Sequence, residues 1–265
     1  MMDQDRYFDA VASKYDSLYD NPLSQGENLL VAEDIAVLIH SAANKVQSIL
    51  DIGCGTGLML DMTPHFGCAD ARYVGTDLSE TMLRRLREKH ATRSNTETHR
   101  CDMNTFDLRN LKEEFDLVLS TFGAFSYVKN PVNFLQDVKH ILKKGNGHLL
   151  VMAYSRFSVQ NIWARLKQQN PKYTDEVRPY VYRNDSDRSS NGPLTRFHTS
   201  TSLTDAAHRA GLHRISVQGL NFFLDSTENK PASTEDAIKA LRKERLQIPS
   251  PDLSHSLILT ASNYE

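Results

Sequence analysis

The chain has 265 residues, 40% hydrophobic and 24% charged, which are globular proportions and exclude a wholly disordered, collagen-like, coiled-coil or disulfide-scaffold chain. That length suits one large domain, or one domain with a sizeable insertion, better than two full domains. Lys and Arg total 31 against 33 Asp and Glu, a formal charge of -2; a dedicated nucleic-acid binder usually shows a basic stripe instead.

The N-terminus, MMDQDRYFDA, is polar and acidic and lacks the basic start and apolar run of a signal peptide. No apolar stretch approaches the ~18 residues of a membrane span. Cys54, Cys68 and Cys101 are too far apart for a zinc knuckle, and an odd, sparse set fits a reducing compartment. The expectation is a cytoplasmic protein without a metal site.

Residues 1–44 read as helical, with Leu29, Leu30, Val31, Ile35, Val37, Leu38 and Ile39 at helical spacing. Short apolar runs follow at 46–52, 71–76, 115–120 and 147–154, with helical segments at 57–66, 80–90 and 132–144 between them. Alternation of this kind predicts a parallel sheet covered on both faces, whose strands are continuously apolar.

Beyond residue 154 the regularity breaks. Phe157, Ile162, Trp163 and Leu166 suggest an amphipathic helix; residues 171–183 are aromatic-rich, with Tyr173, Tyr180 and Tyr182. NDSDRSSNGP is a polar loop, so residues 178–199 read as a hairpin-like flap returning as a strand near 194–199. Ser202 is the expected cap of a helix that Gly211 ends. Strands are expected at 213–219 and 257–261. Between them Ser233 opens a charged helix, acidic at its start (Glu235, Asp236), basic at its end (Lys243, Arg245), stopped by Pro249 and Pro251.

The chemistry is concentrated in Ile49-Leu50-Asp51-Ile52-Gly53-Cys54-Gly55-Thr56-Gly57. A buried strand runs into a glycine turn that opens a helix, where a ligand can approach backbone without meeting a Cβ. Asp77 ends the next strand, about twenty residues on, where a carboxylate can accept both hydroxyls of a ribose. Dinucleotide enzymes prefer G-x-G-x-x-G, whereas the sixth position here is Leu58. Asp51, two residues before Gly53, is ill placed beside a pyrophosphate and well placed for a cationic ligand. Both features argue against a nicotinamide-dependent oxidoreductase.

ILDIGCGTG and the Asp77 strand end resemble class I S-adenosylmethionine-dependent methyltransferases over roughly residues 48–153. The resemblance implies an α/β fold: a doubly wound, Rossmann-like, seven-stranded, mostly parallel sheet with an antiparallel last strand. It implies four parts: an N-terminal helical lid over 1–44, a cofactor-binding core over 45–154, an inserted flap after the fifth strand over 155–200, and a C-terminal part of the core sheet over 201–265. It also implies site residues. Asp51 resembles the acid at the methionine amino end; Gly53, Cys54, Gly55 and Gly57 resemble the loop beneath the cofactor. Asp77 resembles the ribose ligand, with Leu78 and Met82 beside the adenine. Asp102 and Met103 resemble the pair that follows the third strand, one meeting the adenine amine and one packing on its ring. Ser120, Thr121 and Phe122 resemble the fourth-strand end lining the methyl-transfer site. A Met on an apolar face is usually core filler, so Met82 carries both readings.

Residues 11–20, VASKYDSLYD, are similar to the Y-D-x-x-Y stretch of many small-molecule methyltransferases, amino-sugar N-methyltransferases among them. Tyr15 is the residue carried over, beside the sulfonium; Tyr7, Phe8, Tyr15 and Tyr19 also suit plain stapling of a helix. The fourth strand lacks the N/D-P-P-Y/F motif that holds planar amines. The expected activity is methylation of an O or N atom of a small-molecule metabolite, with neither nucleic acid nor membrane as partner and a homodimer compatible. A non-catalytic cofactor-binding regulatory subunit is the alternative. The flap mixes Trp163 and the three tyrosines with Arg178, Arg183, Arg188 and Arg196, suiting a planar or anionic substrate or simply a solvated surface. His198 is the candidate general base for a hydroxyl acceptor.

Overall fold

The computed structural model describes residues 4–40, 45–105, 108–111, 113–159, 161–162, 176–179, 193–222 and 231–264. The strands are β1 (Ser48–Ile52), β2 (Arg72–Asp77), β3 (Thr96–Arg100), β4 (Leu117–Ser120), β5 (Gly147–Tyr154), β6 (Val177–Pro179), β7 (Leu194–Arg196), β8 (His213–Leu220) and β9 (Ser256–Asn263). Seven form one sheet in the order β3-β2-β1-β4-β5-β9-β8. The pairs β1–β2, β1–β4, β2–β3 and β4–β5 are parallel, while β9 runs antiparallel to both β5 and β8. The chain winds outward from β1 through β2 to β3, then restarts at β4 on the other side. This leaves a crevice beyond the carboxyl ends of β1 and β4, where ligands bind in open α/β sheets.

Every residue of β1, β4, β5 is buried, and β9 is buried at all but one position. One face packs Leu50, Val118, Phe134, Leu135 and Leu203 together; the other packs Leu30, Ile35, Ile49, Leu83 and Leu241. Leu50 and Ile49 come from β1 and Val118 from β4; the others come from α6 (Pro131–Ile141) and α7 (Ser200–Arg209) on the first face, and from α3 (Pro22–His40), α5 (Glu80–Lys89) and α8 (Thr234–Gln247) on the second, where α4 (Leu58–Met62) packs as well. Helices on both faces satisfy a doubly wound sheet. The edge strand β3, sequence TETHR, is half exposed, and its polar composition hides it from a hydrophobicity pattern.

Local chemistry sets the helix ends. Ser79, Asn130 and Ser233 cap α5, α6 and α8 by accepting the N–H of Met82, Asn133 and Asp236. The cap of α7 is Thr199 rather than Ser202. Thr199 Oγ1 accepts the Ser202 N–H at 3.0 Å, and Ser202 Oγ accepts the Thr199 N–H at 2.9 Å, a reciprocal capping box.

Residues 4–18 form α1 (Gln4–Val11), a 3-10 turn (Ala12–Lys14) and α2 (Tyr15–Leu18). Helix α3 belongs instead to the layer on the sheet, with Leu30, Val31, Ala32 and Ile35 buried and with Glu33 and Asp34 paired to Arg242 and Arg245 of α8. Strands β6 and β7 pair antiparallel, Arg178 opposite Thr195. Trp163, Leu166, Tyr173, Tyr180, Tyr182, Arg183 and Arg188 lie outside the described residues. Among the described residues no helix is long and apolar enough to cross a membrane.

Candidate functional site

The turn after β1 is held by its neighbours on β2. The N–H groups of Gly53 and Cys54 both donate to the carbonyl of Thr76, at 2.7 and 3.0 Å. Gly53, Gly55 and Gly57 all have positive φ, at 78°, 53° and 89°, which L side chains adopt at a cost. A Cβ at Gly53 would meet Ala124 Cβ at 2.5 Å, and one at Gly57 would meet Leu86 Cγ at 2.9 Å, so these two let protein pack close. A Cβ at Gly55 would meet only Tyr15 Cε1, at 3.6 Å. Gly55 is the position whose backbone faces a cleft of about 720 Å³, counted with the solvent at its mouth.

Two carboxylates flank this turn. Asp77 Oδ2 accepts the Gly55 N–H and Oδ1 accepts the Ser79 N–H, both at 2.9 Å. Burial raises its carboxyl above the ordinary value, and these backbone donors pull it back down. Asp51 is buried; Oδ2 accepts the Tyr73 hydroxyl at 2.6 Å while Oδ1 has no partner. Desolvation pushes its carboxyl up to about 7, opposed by the Tyr73 hydrogen bond. An orphaned carboxylate oxygen in a cleft is an unfilled site for a cationic donor.

Residues 4–18 border the cleft, which Gln4, Phe8 and Tyr15 line. Asp16 Oδ1 accepts the Thr56 hydroxyl in the glycine turn, and Asp9 Oδ1 accepts the Ser79 hydroxyl at the start of α5, each at 2.5 Å. Phe8 meets Tyr127 edge-on at 5.6 Å between centroids. Tyr15 stands 5.2 Å from Tyr19, which stands 6.4 Å from Phe122. Phe122 has φ 48°, unusual for a non-glycine residue. Behind it a Cβ at Gly123 would lie 2.3 Å from Tyr154 Cζ, so the end of β4 is moulded around the Tyr154 ring.

Residues 50–149 match the model of a methyltransferase domain family, described as "Methyltransferase domain". The core is a class I S-adenosylmethionine-dependent methyltransferase domain. The methyltransferase is 27% identical over 206 residues to an uncharacterized protein of Haemophilus influenzae, covering 75% of this chain and 77% of that one. It is 34% identical over 119 residues to the dTDP-3-amino-3,4,6-trideoxy-alpha-D-glucopyranose N,N-dimethyltransferase of Streptomyces venezuelae, covering 44% and 45% of the two chains. Its fold resembles a chain from the complex between the Haloferax volcanii Trm112 methyltransferase activator and a methyltransferase, with TM-score 0.60 and 17% identity over 97% and 98% of the chains.

The residues present in the methyltransferase cleft fit S-adenosylmethionine: an unpaired carboxylate oxygen for an ammonium group, a backbone cradle at Gly55, and apolar walls. Among the residues expected from sequence, Tyr15, Asp51, Gly53, Cys54 and Gly55 line the cleft, as do Asp77, Leu78, Met82, Met103, Thr121 and Phe122. Met82 is also buried in the protein, at 1% exposure. Burial holds the Tyr15 hydroxyl well above its ordinary value and does the same to the Cys54 thiol; both stay protonated. Phe8, Leu58, Ala124 and Tyr127 line the cleft too. Of these, Phe8 stood out in the sequence as a staple and Leu58 as the sixth position of the glycine motif; Ala124 and Tyr127 did not.

Four expected residues are not among the cleft lining. Gly57 is spent on packing against Leu86. Asp102 shapes its own turn, Oδ1 accepting the Asn104 N–H at 2.9 Å and its carbonyl the Thr105 N–H. Ser120 is fully buried at the end of β4. His198 is corrected as a catalytic base. It is 4% exposed, its ring 5.3 Å from Phe125, its backbone N–H donating to the Tyr154 carbonyl and its Nε2 without a partner. Desolvation, with the charge of Arg196 adding, lowers its pKa to about 3, and such a weak base is unsuited to deprotonating a hydroxyl. Arg196 is ion-paired with Glu176, a surface role rather than an anion site.

Proposed function

We propose that the methyltransferase transfers a methyl group to the amine nitrogen of a small-molecule metabolite. The cofactor supplies an electrophilic methyl on a sulfonium. Asp51 Oδ1 accepts the ammonium of its methionine end, and the Gly55 backbone lies beneath it. Asp77 keeps lone pairs beyond its two backbone donors, and these take the ribose hydroxyls. Leu78, Met82 and Met103 wall the adenine.

Tyr15, Thr121 and Phe122, which line the cleft together, would flank the reacting end. Tyr15 presents a ring and a protonated hydroxyl near the positive sulfur. The lid excludes water, and the two sides of the cleft hold donor and acceptor in line; position and dryness are the protein's main contribution to displacement at carbon. The observation carrying the amine reading is the chemistry of the lining. Its ionisable groups among the described residues are Tyr15, Asp51, Cys54, Asp77 and Tyr127, with no histidine and with both carboxylates given to the cofactor. A neutral amine attacks through its own lone pair and sheds its proton afterwards, so it needs no strong base. The likeness to an amino-sugar N,N-dimethyltransferase supports the same acceptor class.

The test is turnover. Purified protein with S-adenosylmethionine is offered matched amino and hydroxy sugars, and S-adenosylhomocysteine and a one-methyl mass gain are followed. Gain on the amines supports the reading. Gain on hydroxyl compounds alone overturns the acceptor assignment, and cofactor binding without turnover on any metabolite extract returns the regulatory-subunit alternative.

A further inference from the structure

We infer that Tyr73 is a positioning residue that aims the unpaired oxygen of Asp51 at the ammonium group of the cofactor. The inference rests on the reading above that Asp51 meets that group. Tyr73 lies on β2, fully buried, paired in register with Ile49, while Asp51 pairs with Gly75. Its hydroxyl therefore has to travel toward the carboxyl end of the sheet to reach Asp51. Gly75 makes that path. A Cβ there would meet Tyr73 Cε1 at 3.1 Å and Cys54 Sγ at 2.8 Å. The glycine is thus required for close approach, since its φ is not positive, and the Tyr73 ring lies alongside the space it leaves.

The consequence is a division of labour within one carboxylate. Oδ2 is fixed by a 2.6 Å hydrogen bond from the phenol, which leaves Oδ1 as the sole unpaired oxygen of a buried acid. The phenol itself is held well above its ordinary pKa by burial and by the Asp51 charge, so it remains a donor. It stabilises the ionised carboxylate, which is the form that accepts from an ammonium. The groups facing Asp51 are Tyr73 and Asp77 from β2 and Cys54 from the turn, and Tyr15 lines the same cleft. Asp77 opposes ionisation by like charge, and no Lys, Arg or His lines the cleft among the described residues. Tyr73 is therefore the nearest donor favouring the charged form before the cofactor arrives.

Tyr73→Phe keeps the ring and deletes the donor. Calorimetric titration with S-adenosylmethionine from pH 6 to 8 reads the effect, and carboxyl-labelled 13C NMR of the cofactor-free protein reads Asp51 directly. The unaltered protein should bind more tightly as pH rises through about 7. In Tyr73→Phe the Asp51 titration should move upward, and affinity at pH 7 should fall roughly tenfold and partly recover by pH 8. Placed in an Asp51→Asn background, which should itself bind weakly and without this pH dependence, Tyr73→Phe should add nothing. Equal pH profiles for Tyr73→Phe and the unaltered protein, with cofactor bound by both, overturn the inference and leave the cleft assignment standing. So does a full additional loss in the Asp51→Asn background, which would make Tyr73 a packing residue. Failure of the unaltered protein to bind S-adenosylmethionine overturns the underlying reading itself.

Discussion

Asp77 Oδ2 accepts the backbone N–H of Gly55 at 2.9 Å, joining the end of β2 to the apex of the glycine turn. One carboxylate thus shapes the floor of the cleft and lines it. Asp77→Ala is expected to weaken S-adenosylmethionine binding roughly ten- to a hundredfold, from ~1.5–3 kcal/mol for hydrogen bonds to a charged group. Asp77→Asn, which retains one acceptor oxygen, should lose less. Calorimetric titration of both variants checks this; an unchanged dissociation constant in Asp77→Ala would reject the ribose assignment.

The same turn yields a steric prediction. Gly55 has φ 53°, and its missing side chain opens onto the cleft toward Tyr15. Gly55→Val should abolish cofactor binding, because a branched side chain fills the ligand's volume. Left-handed backbone costs an L residue ~1–2 kcal/mol, so the melting temperature should fall by only a few degrees in a chain of this size. Native-like affinity in a folded Gly55→Val protein would place the cofactor elsewhere.

Residues 4–18 are tied at two points beside the cleft: Asp16 to Thr56 of the glycine turn and Asp9 to Ser79, the cap of α5. Asp16 is exposed, so its hydrogen bond is worth ~1 kcal/mol rather than the buried value. Asp16→Ala should therefore speed cofactor release roughly three- to tenfold while the melting temperature of the cofactor-free protein changes little. Stopped-flow displacement measures the rate. An unchanged rate would mean that residues 4–18 do not gate the cleft.

The sheet was legible where apolar runs coincide with burial on both faces: β1, β4 and β5 needed nothing but the residue pattern. β3 was not, because an edge strand half in solvent carries Thr, Glu and His where a core strand carries Val and Leu; only the family resemblance implied it. The motif residues Asp51, Gly55 and Asp77 were legible because their spacing is local to one strand-turn-helix and one strand end. Tyr127 and Ala124 reach the cleft through a short 3-10 turn after Gly123, which has no periodic signature. The role of Tyr73 has no signal in the sequence, since a hydrogen bond across two strands depends on register, and register is not written in either segment alone. His198 failed for the same reason in reverse. Read as a candidate base, it sits in a bridge to Ser155 just after β5, which seals it.

That placement gives His198 a role in stability rather than catalysis, with a definite sign. Its folded-state pKa is lowered to about 3, against ~6.5 for the unfolded chain. Above pH 6.5 both states hold a neutral ring, and its contribution to stability is constant. As pH falls below 6.5 the unfolded chain takes up a proton that the folded chain refuses, so stability is lost by up to ~1.4 kcal/mol per pH unit until the folded state titrates too. His198→Leu removes that slope. Denaturant midpoints at pH 7.5, 6 and 5 should decline less steeply in the variant than in the unaltered protein, provided other groups contribute equally to both. Methylation of an amine acceptor at saturating cofactor should stay within a few-fold of normal, and the pH profile of the rate should keep its shape, because no imidazole limb belongs to this residue. A rate that collapses in His198→Leu with cofactor affinity intact would restore the histidine to the reaction, and with it the case for a hydroxyl acceptor.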